Sequence, residues 1–137
     1  MKIYLIHKIA LLGFITAVLS ALTPLNLHSV KEFRRLDPKS GIFMVTGVVS
    51  YIYKCPPCPP PDLCKPCMPD NFVLSESYSP GVPYPNNGDH LVIKTGEPDN
   101  VKVGRRYRIT VKVEPTNSMN FGLNDLSLVS SKPADEE

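Results

Sequence analysis

A chain of 137 residues is long enough for one domain and too short for two comfortable ones. Its net charge of +2 comes from fifteen basic and thirteen acidic side chains. Two of the basic ones, Lys2 and Lys8, stand in the first eight residues, which leaves thirteen against thirteen for the remainder. Sustained binding to nucleic acid needs an excess of cations that displace counterions, so nucleic acid is excluded as a partner on composition.

The segment from Met1 to Lys8 is a basic start, and Ile9 to Leu22 is an apolar run without charge. That run is shorter than the ~20 residues a spanning helix needs, which favours a signal peptide over an anchor. Ala17, Ser20 and Ala21 supply the small residues of a cleavage site near Ser20 or Ala21, and Pro24 follows. Residues 1–21 are therefore read as a signal peptide and the chain as exported, periplasmic or extracellular. Membrane contact is expected only during export, or if residues 9–22 are retained as an anchor. No cysteine stands at the end of the run to accept a lipid.

Residues 22–40 read as a linker or a short helix. Leu27, Val30, Phe33 and Leu36 are spaced for one helical face, with Lys31, Glu32, Arg34 and Arg35 elsewhere. From Gly41 the period changes to two, and residues 41–131 read as the folded domain. Ile42 to Tyr53 is a long strand rich in β-branched and aromatic residues, with Gly47 marking a bulge or bend. Asn71 to Ser77 is a second strand. Ser79 to Asp89 is a loop that closes on an Asn-Gly turn signal, and His90 to Thr95 is a third strand. The alternation is clearest in the fourth, where Tyr107, Ile109, Val111 and Val113 oppose Arg106, Arg108, Thr110, Lys112 and Glu114. Pro115 to Asn124 is a loop, Leu126 to Ser130 a short fifth strand, and 132–137 a polar, fraying tail.

Five strands with a long first one bent at glycine predict an all-β fold, a small five-stranded barrel with a long proline- and cysteine-rich loop after strand one. From Ile42 to Val129 the pattern resembles the OB-fold, carried by the Gly47-bent strand and by Gly104-Arg105-Arg106-Tyr107-Arg108-Ile109-Thr110-Val111 at the start of the fourth. It departs from that fold between strands three and four, where no helix is evident and only Gly96 to Gly104 remains.

The segment Lys54 to Pro69 holds all four cysteines and seven of the fifteen prolines. Three chemistries compete for Cys55, Cys58, Cys64 and Cys67. Structural disulfides suit an exported chain with an even number of cysteines in a short span. Disulfide Cα atoms lie within about 7 Å, whereas an extended Cys55-Pro56-Pro57-Cys58 puts its ends roughly 9 Å apart. Proline at the third turn position also disfavours a type I turn. Bonds across the loop are thus favoured over bonds within each pair, either nested (Cys55–Cys67 with Cys58–Cys64) or crossed (Cys55–Cys64 with Cys58–Cys67). The alternative is a metal site, with the four thiolates on zinc or copper. Against it stand the five residues between pairs, where ribbon spacing is roughly 15–20, and Pro56, Pro57 and Pro66, which have no amide hydrogen to offer sulfur. Thiol redox chemistry fits least, because prolines after Cys58 block the helix N-terminus that lowers a reactive thiol's pKa.

The loop sequence Cys-Pro-Pro-Cys-Pro-Pro…Cys-Lys-Pro-Cys-Met-Pro-Asp-Asn, followed by an apolar strand, is similar to small exported bacterial proteins of uncharacterised function. The resemblance implies a compartment and a kind of protein and supplies no activity. Elsewhere, His90 and His28 read as solvated or capping, and His7 leaves with the signal. Arg105, Arg106 and Arg108 with Lys102 and Lys112 read as the solvated outer face of strand four rather than an anion site. Tyr51, Tyr53, Phe72, Tyr78 and Tyr84 flank the loop, as core residues or as a stacking platform. No residue is assigned a catalytic role and no cofactor is expected apart from the alternative zinc or copper. The expected function is a non-catalytic domain that offers a rigid loop to a protein, an envelope polymer or a small ligand.

Overall fold

The computed structural model of the chain describes residues 25–60, 65–82, 89–120 and 122–135. The expected signal peptide lies outside them. The elements are β1 (Leu27–Ser29), α1 (Val30–Leu36), β2 (Gly41–Tyr53), β3 (Asn71–Ser75), β4 (His90–Lys94), a 3₁₀ turn (Pro98–Asn100), β5 (Arg106–Glu114) and β6 (Asp125–Pro133). The fold is mostly β, with a six-stranded sheet in the order β1-β2-β3-β4-β6-β5 and one short helix. Where five strands were expected, the sixth is β1. Three residues are too short to show a period, and β1 is held by parallel pairing of Leu27, His28 and Ser29 with Met44, Val45 and Thr46.

β2 pairs with β5 as well as with β3, so the pairings run β2–β3–β4–β6–β5 and return to β2. All are antiparallel except β4–β6, where Ile93 and Lys94 pair with Leu126 and Ser127 in parallel. β2 is shared lengthwise: Gly41 to Val48 lie opposite β5, and Val48 to Tyr53 lie opposite β3. The register slips between Val49 and Tyr51. The irregularity expected at Gly47 therefore falls three residues later, at Ser50, and Gly47 has a different task. A Cβ there would meet the Leu74 side chain and the Ser75 carbonyl oxygen, each at 2.8 Å. Glycine lets β2 pass close to β3.

Residues 22–40 are not a linker in their described part. Ser29 caps α1 in a capping box: its Oγ accepts the Glu32 N–H at 3.2 Å, and Glu32 Oε2 accepts the Ser29 N–H at 2.8 Å. The helix ends on Asp37 at φ 43°, before Pro38. Of the expected stripe, Val30 and Phe33 are buried in the core, while Leu27 and Leu36 are exposed. Leu27 falls in β1, ahead of the helix, and Leu36 is the helix's last residue. Phe33 meets Phe43 edge to face at 5.5 Å.

The core joins Val30 and Phe33 to Val45, Val49, Phe72, Leu74, Leu91, Ile93, Tyr107, Ile109, Val111, Val113 and Leu126. The alternation read from β5 is present, with its four apolar positions buried. The last strand overruns the expected polar tail. Lys132 and Pro133 belong to β6 because β5 extends far enough to pair with them, at Arg108 and Tyr107.

Sequence reading passed over the loop between β5 and β6. Asp125 is fully buried, and its carboxylate accepts from Thr116 Oγ1 (2.8 Å), Ser118 Oγ (2.5 Å), the Ser118 N–H (3.0 Å) and the Met119 N–H (2.8 Å). Lys94 Nζ lies 3.1 Å from it and 3.2 Å from Glu114. Burial pushes the Asp125 carboxyl upward, but the bonds from Ser118, Met119, Thr116 and Lys94 outweigh it and hold the pKa well below the carboxylate range. Burial likewise opposes charge on Lys94, and Asp125 and Glu114 overcome it, raising its pKa. Beyond this clamp, the Asn120 side chain bonds both the N–H and the C=O of Val92 at 2.8 Å. It does the work of a strand backbone alongside β4.

Two outcomes follow. Gly47→Ala is expected to destabilise the fold by about 2–3 kcal/mol in chemical denaturation, since backbone must shift to admit the methyl. Asp125→Asn is expected to cost about 2–4 kcal/mol at neutral pH. Because the folded-state pKa of Asp125 is depressed, its contribution is present above the unfolded value and fades as pH falls. The gap between wild type and variant should therefore narrow below pH ~4 in denaturation curves taken across pH.

Candidate functional site at the cysteine loop

Tyr53, the last residue of β2, pairs with Asn71, the first of β3, so residues 54–70 leave and rejoin the sheet at one point. Just beyond that pair, Cys55 and Cys67 are joined by a disulfide with Cα atoms 5.8 Å apart and a sequence separation of 12. This is the outer rung of the nested arrangement, and it excludes the crossed one, which needs Cys55 for Cys64. Cys58 is also disulfide-bonded; Cys64 lies outside the described residues.

Polar bonds latch the base of the loop. Asp70 Oδ1 accepts the Cys55 N–H at 2.8 Å, and the Asp70 carbonyl accepts the Thr95 N–H at 3.0 Å. The Asn71 side-chain amide donates to the Pro69 carbonyl at 2.8 Å. Lys54 pairs with Asp99 at 2.5 Å, but with side chains 51% and 80% exposed the pair adds little. Asp70 was missed in the sequence, although Pro-Asp-Asn at the head of an apolar strand is a local turn signal.

Inside the latch, a groove of about 700 Å³ is lined by Tyr53, Pro56, Pro57, Lys65, Pro66 and Met68 along with the three described cysteines. Its chemistry suits binding. Proline rings and the Met68 side chain, 47% exposed, give apolar surface. The prolines leave carbonyl acceptors without matching amide donors, and Lys65 adds an exposed cation. The bonded sulfurs of Cys55 and Cys67 have no thiolate to offer a metal. Among the described residues no group of three or more His, Cys, Asp or Glu is placed to hold one.

The other candidates are dispersed. Phe72 is in the core and Tyr53 lines the loop groove. Tyr51 and Tyr78 line a separate pocket of about 290 Å³ with Val82 and Val103. Tyr84 lies outside the described residues, and the described aromatic residues form no single platform. The His90 carbonyl accepts from Arg34 at 2.9 Å, and His28 stands 6.3 Å from the Phe43 ring. Arg105 pairs with Asp135 at 3.2 Å and Arg106 donates to the Glu76 carbonyl at 3.1 Å. The Lys102 N–H donates to the Tyr107 hydroxyl at 3.0 Å. Among the described residues no helix is long and apolar enough to cross a membrane.

Comparison with protein-family models, with curated proteins and with solved structures finds no match to this chain.

Replacing the outer rung by Cys55→Ser with Cys67→Ser is expected to lower the unfolding free energy by about 3 kcal/mol, the loop-closure term for this separation. The far-UV circular dichroism of the sheet should be unchanged, because the rung lies outside the paired residues. Asp70→Ala should cost about 1–2 kcal/mol by leaving the Cys55 N–H without its acceptor, measured in the same denaturation series.

Proposed function

We propose that this chain is an exported, non-catalytic domain of the OB type that presents the Cys55–Cys67 loop as a rigid binding surface. The observation that carries the reading is the stapled groove itself: an apolar concavity closed by a disulfide at its neck and latched through Asp70. Proline and the cross-link remove conformational freedom before any partner arrives, so less ordering entropy opposes association. Disulfides form and persist in oxidising compartments, which supports export.

The barrel assignment is supported by the circuit of pairings. Setting aside β1, the order β2-β3-β4-β6-β5, closed onto β2 and with a parallel contact between β4 and β6, supports the reading as a five-stranded Greek-key barrel. Between β4 and β5 stands only the 3₁₀ turn Pro98–Asn100. α1, which precedes the circuit in sequence, contributes Val30 and Phe33 to the same core.

The partner is a protein, an envelope polymer or a small ligand that offers apolar surface to the groove. Intact mass of the exported protein, under native and denaturing conditions, tests the reading. Four hydrogens lost with no bound metal supports it. Four free thiols with stoichiometric zinc or copper would overturn it in favour of metal handling through Cys55, Cys58, Cys64 and Cys67. A second arm is chemical cross-linking from Lys65 in envelope preparations. Adducts that vanish with the Cys55→Ser, Cys67→Ser pair are the expected result.

A further inference from the structure

Side chains on a strand alternate between faces, and paired residues share a face. Phe43 and Val45 face the core, so Ile42 and Met44 face outward. Register carries that outward face across three neighbours. Leu27 pairs with Met44, Lys112 with Ile42, and Lys132 with Arg108. One continuous outer surface of β1, β2, β5 and β6 thus combines apolar Leu27 and Ile42, 46% and 50% exposed, with the cations Arg108, Lys112 and Lys132. Glu114, the acid on the same face of β5, is engaged by Lys94 at 3.2 Å.

We infer that this face docks on an anionic lipid surface. Apolar side chains that enter the headgroup boundary, flanked by lysines and arginine, are the chemistry that binds such a surface. The position of the face in the chain argues for lipid over other polyanions. β1 opens the described domain, and only Thr23 to Asn26 separate Leu27 from the uncharged run Ile9 to Leu22. Those few residues span at most about 18 Å. While the run is inserted, Leu27 is held within that distance of the bilayer. This inference does not depend on the loop reading, since it uses the other end of β2.

The chain contains no tryptophan, so Ile42→Trp places a single reporter in the face at a half-exposed position. The exported protein carrying it, its N-terminus defined by intact mass, is mixed with vesicles of phosphatidylcholine alone or with about a third phosphatidylglycerol. A blue shift and quenching by brominated lipid on the anionic vesicles is expected, with Lys112→Glu plus Lys132→Glu raising the lipid concentration needed by at least tenfold. The measurement is made on protein whose intact mass shows the run Ile9 to Leu22 removed, so a retained anchor cannot produce the shift. The absence of a shift on anionic vesicles, or a shift untouched by the charge reversals, would overturn the inference. So would a shift given by heparin at equal charge and not by lipid, which would make the face an acidic-polysaccharide site. Circular dichroism and denaturation midpoints of both variants confirm that they are folded.

Discussion

β2 is hydrogen-bonded along its first half to β5 and along its second half to β3, with Val48 in both registers. The circuit of strands closes only because one strand serves two partners in succession. The hand-over needs close approach, and Gly47 grants it, since any side chain would occupy the place of Leu74 and the Ser75 carbonyl. The slip at Ser50 then re-aims the strand toward the loop, and Ser50 Oγ is bonded to Ser75 Oγ at 3.0 Å where the ladder is irregular. Burial of Val45 and Val49 on either side of this crossing ties it to the core. Loss of the crossing would open the sheet between β2 and β5 and leave the cysteine loop without a fixed base.

How much of this was legible depended on whether a residue's role repeats along the chain. β5 could be read residue by residue, because a half-buried strand writes its faces as alternation. β2 and β4 could be placed but their faces could not, since both sides carry apolar residues. β1 was invisible: three residues show no period, and their reason for extending is a neighbour, Met44 to Thr46, that lies far off in sequence. α1 was read from its stripe, of which Val30 and Phe33 face inward, while Leu27 falls in β1 and Leu36 at the helix end; its capping box at Ser29 and Glu32 went unread. The end of β6 was missed because Lys132 and Pro133 look like tail and are recruited by β5. Gly47 was singled out for a bend, whereas steric access was its use.

The loop illustrates the same distinction in its chemistry. Proline geometry, a local property, was sufficient to favour bonds across the loop over bonds within each pair, and the Cys55–Cys67 bond is of that kind. The groove was not legible, since it depends on how Tyr53 at the strand end and Pro66 and Met68 on the returning segment converge. The polar latches were also hidden. Asp70 and Asp125 are each ordinary in sequence, and each becomes the acceptor that fixes a loop once the sheet has brought donors to it. Both loops thus rest on one carboxylate, the first through a single amide and the second through a full shell that also neutralises Lys94. The richer shell belongs to the loop between β5 and β6, and the leaner one to the cysteine loop.

The length of β2 has a mechanical meaning. The cysteine loop emerges from one end of the strand, and the apolar, cationic face lies along the other. A pull between a partner held by the loop and a surface held by the face acts along the strand axis. Its load falls at once on the ladders to β5 and β3, in shear, instead of opening them pair by pair from an end. Were both ends held, the thirteen-residue strand would carry the load with little extension, and the lifetime under force would be set by the unfolding barrier rather than by equilibrium stability.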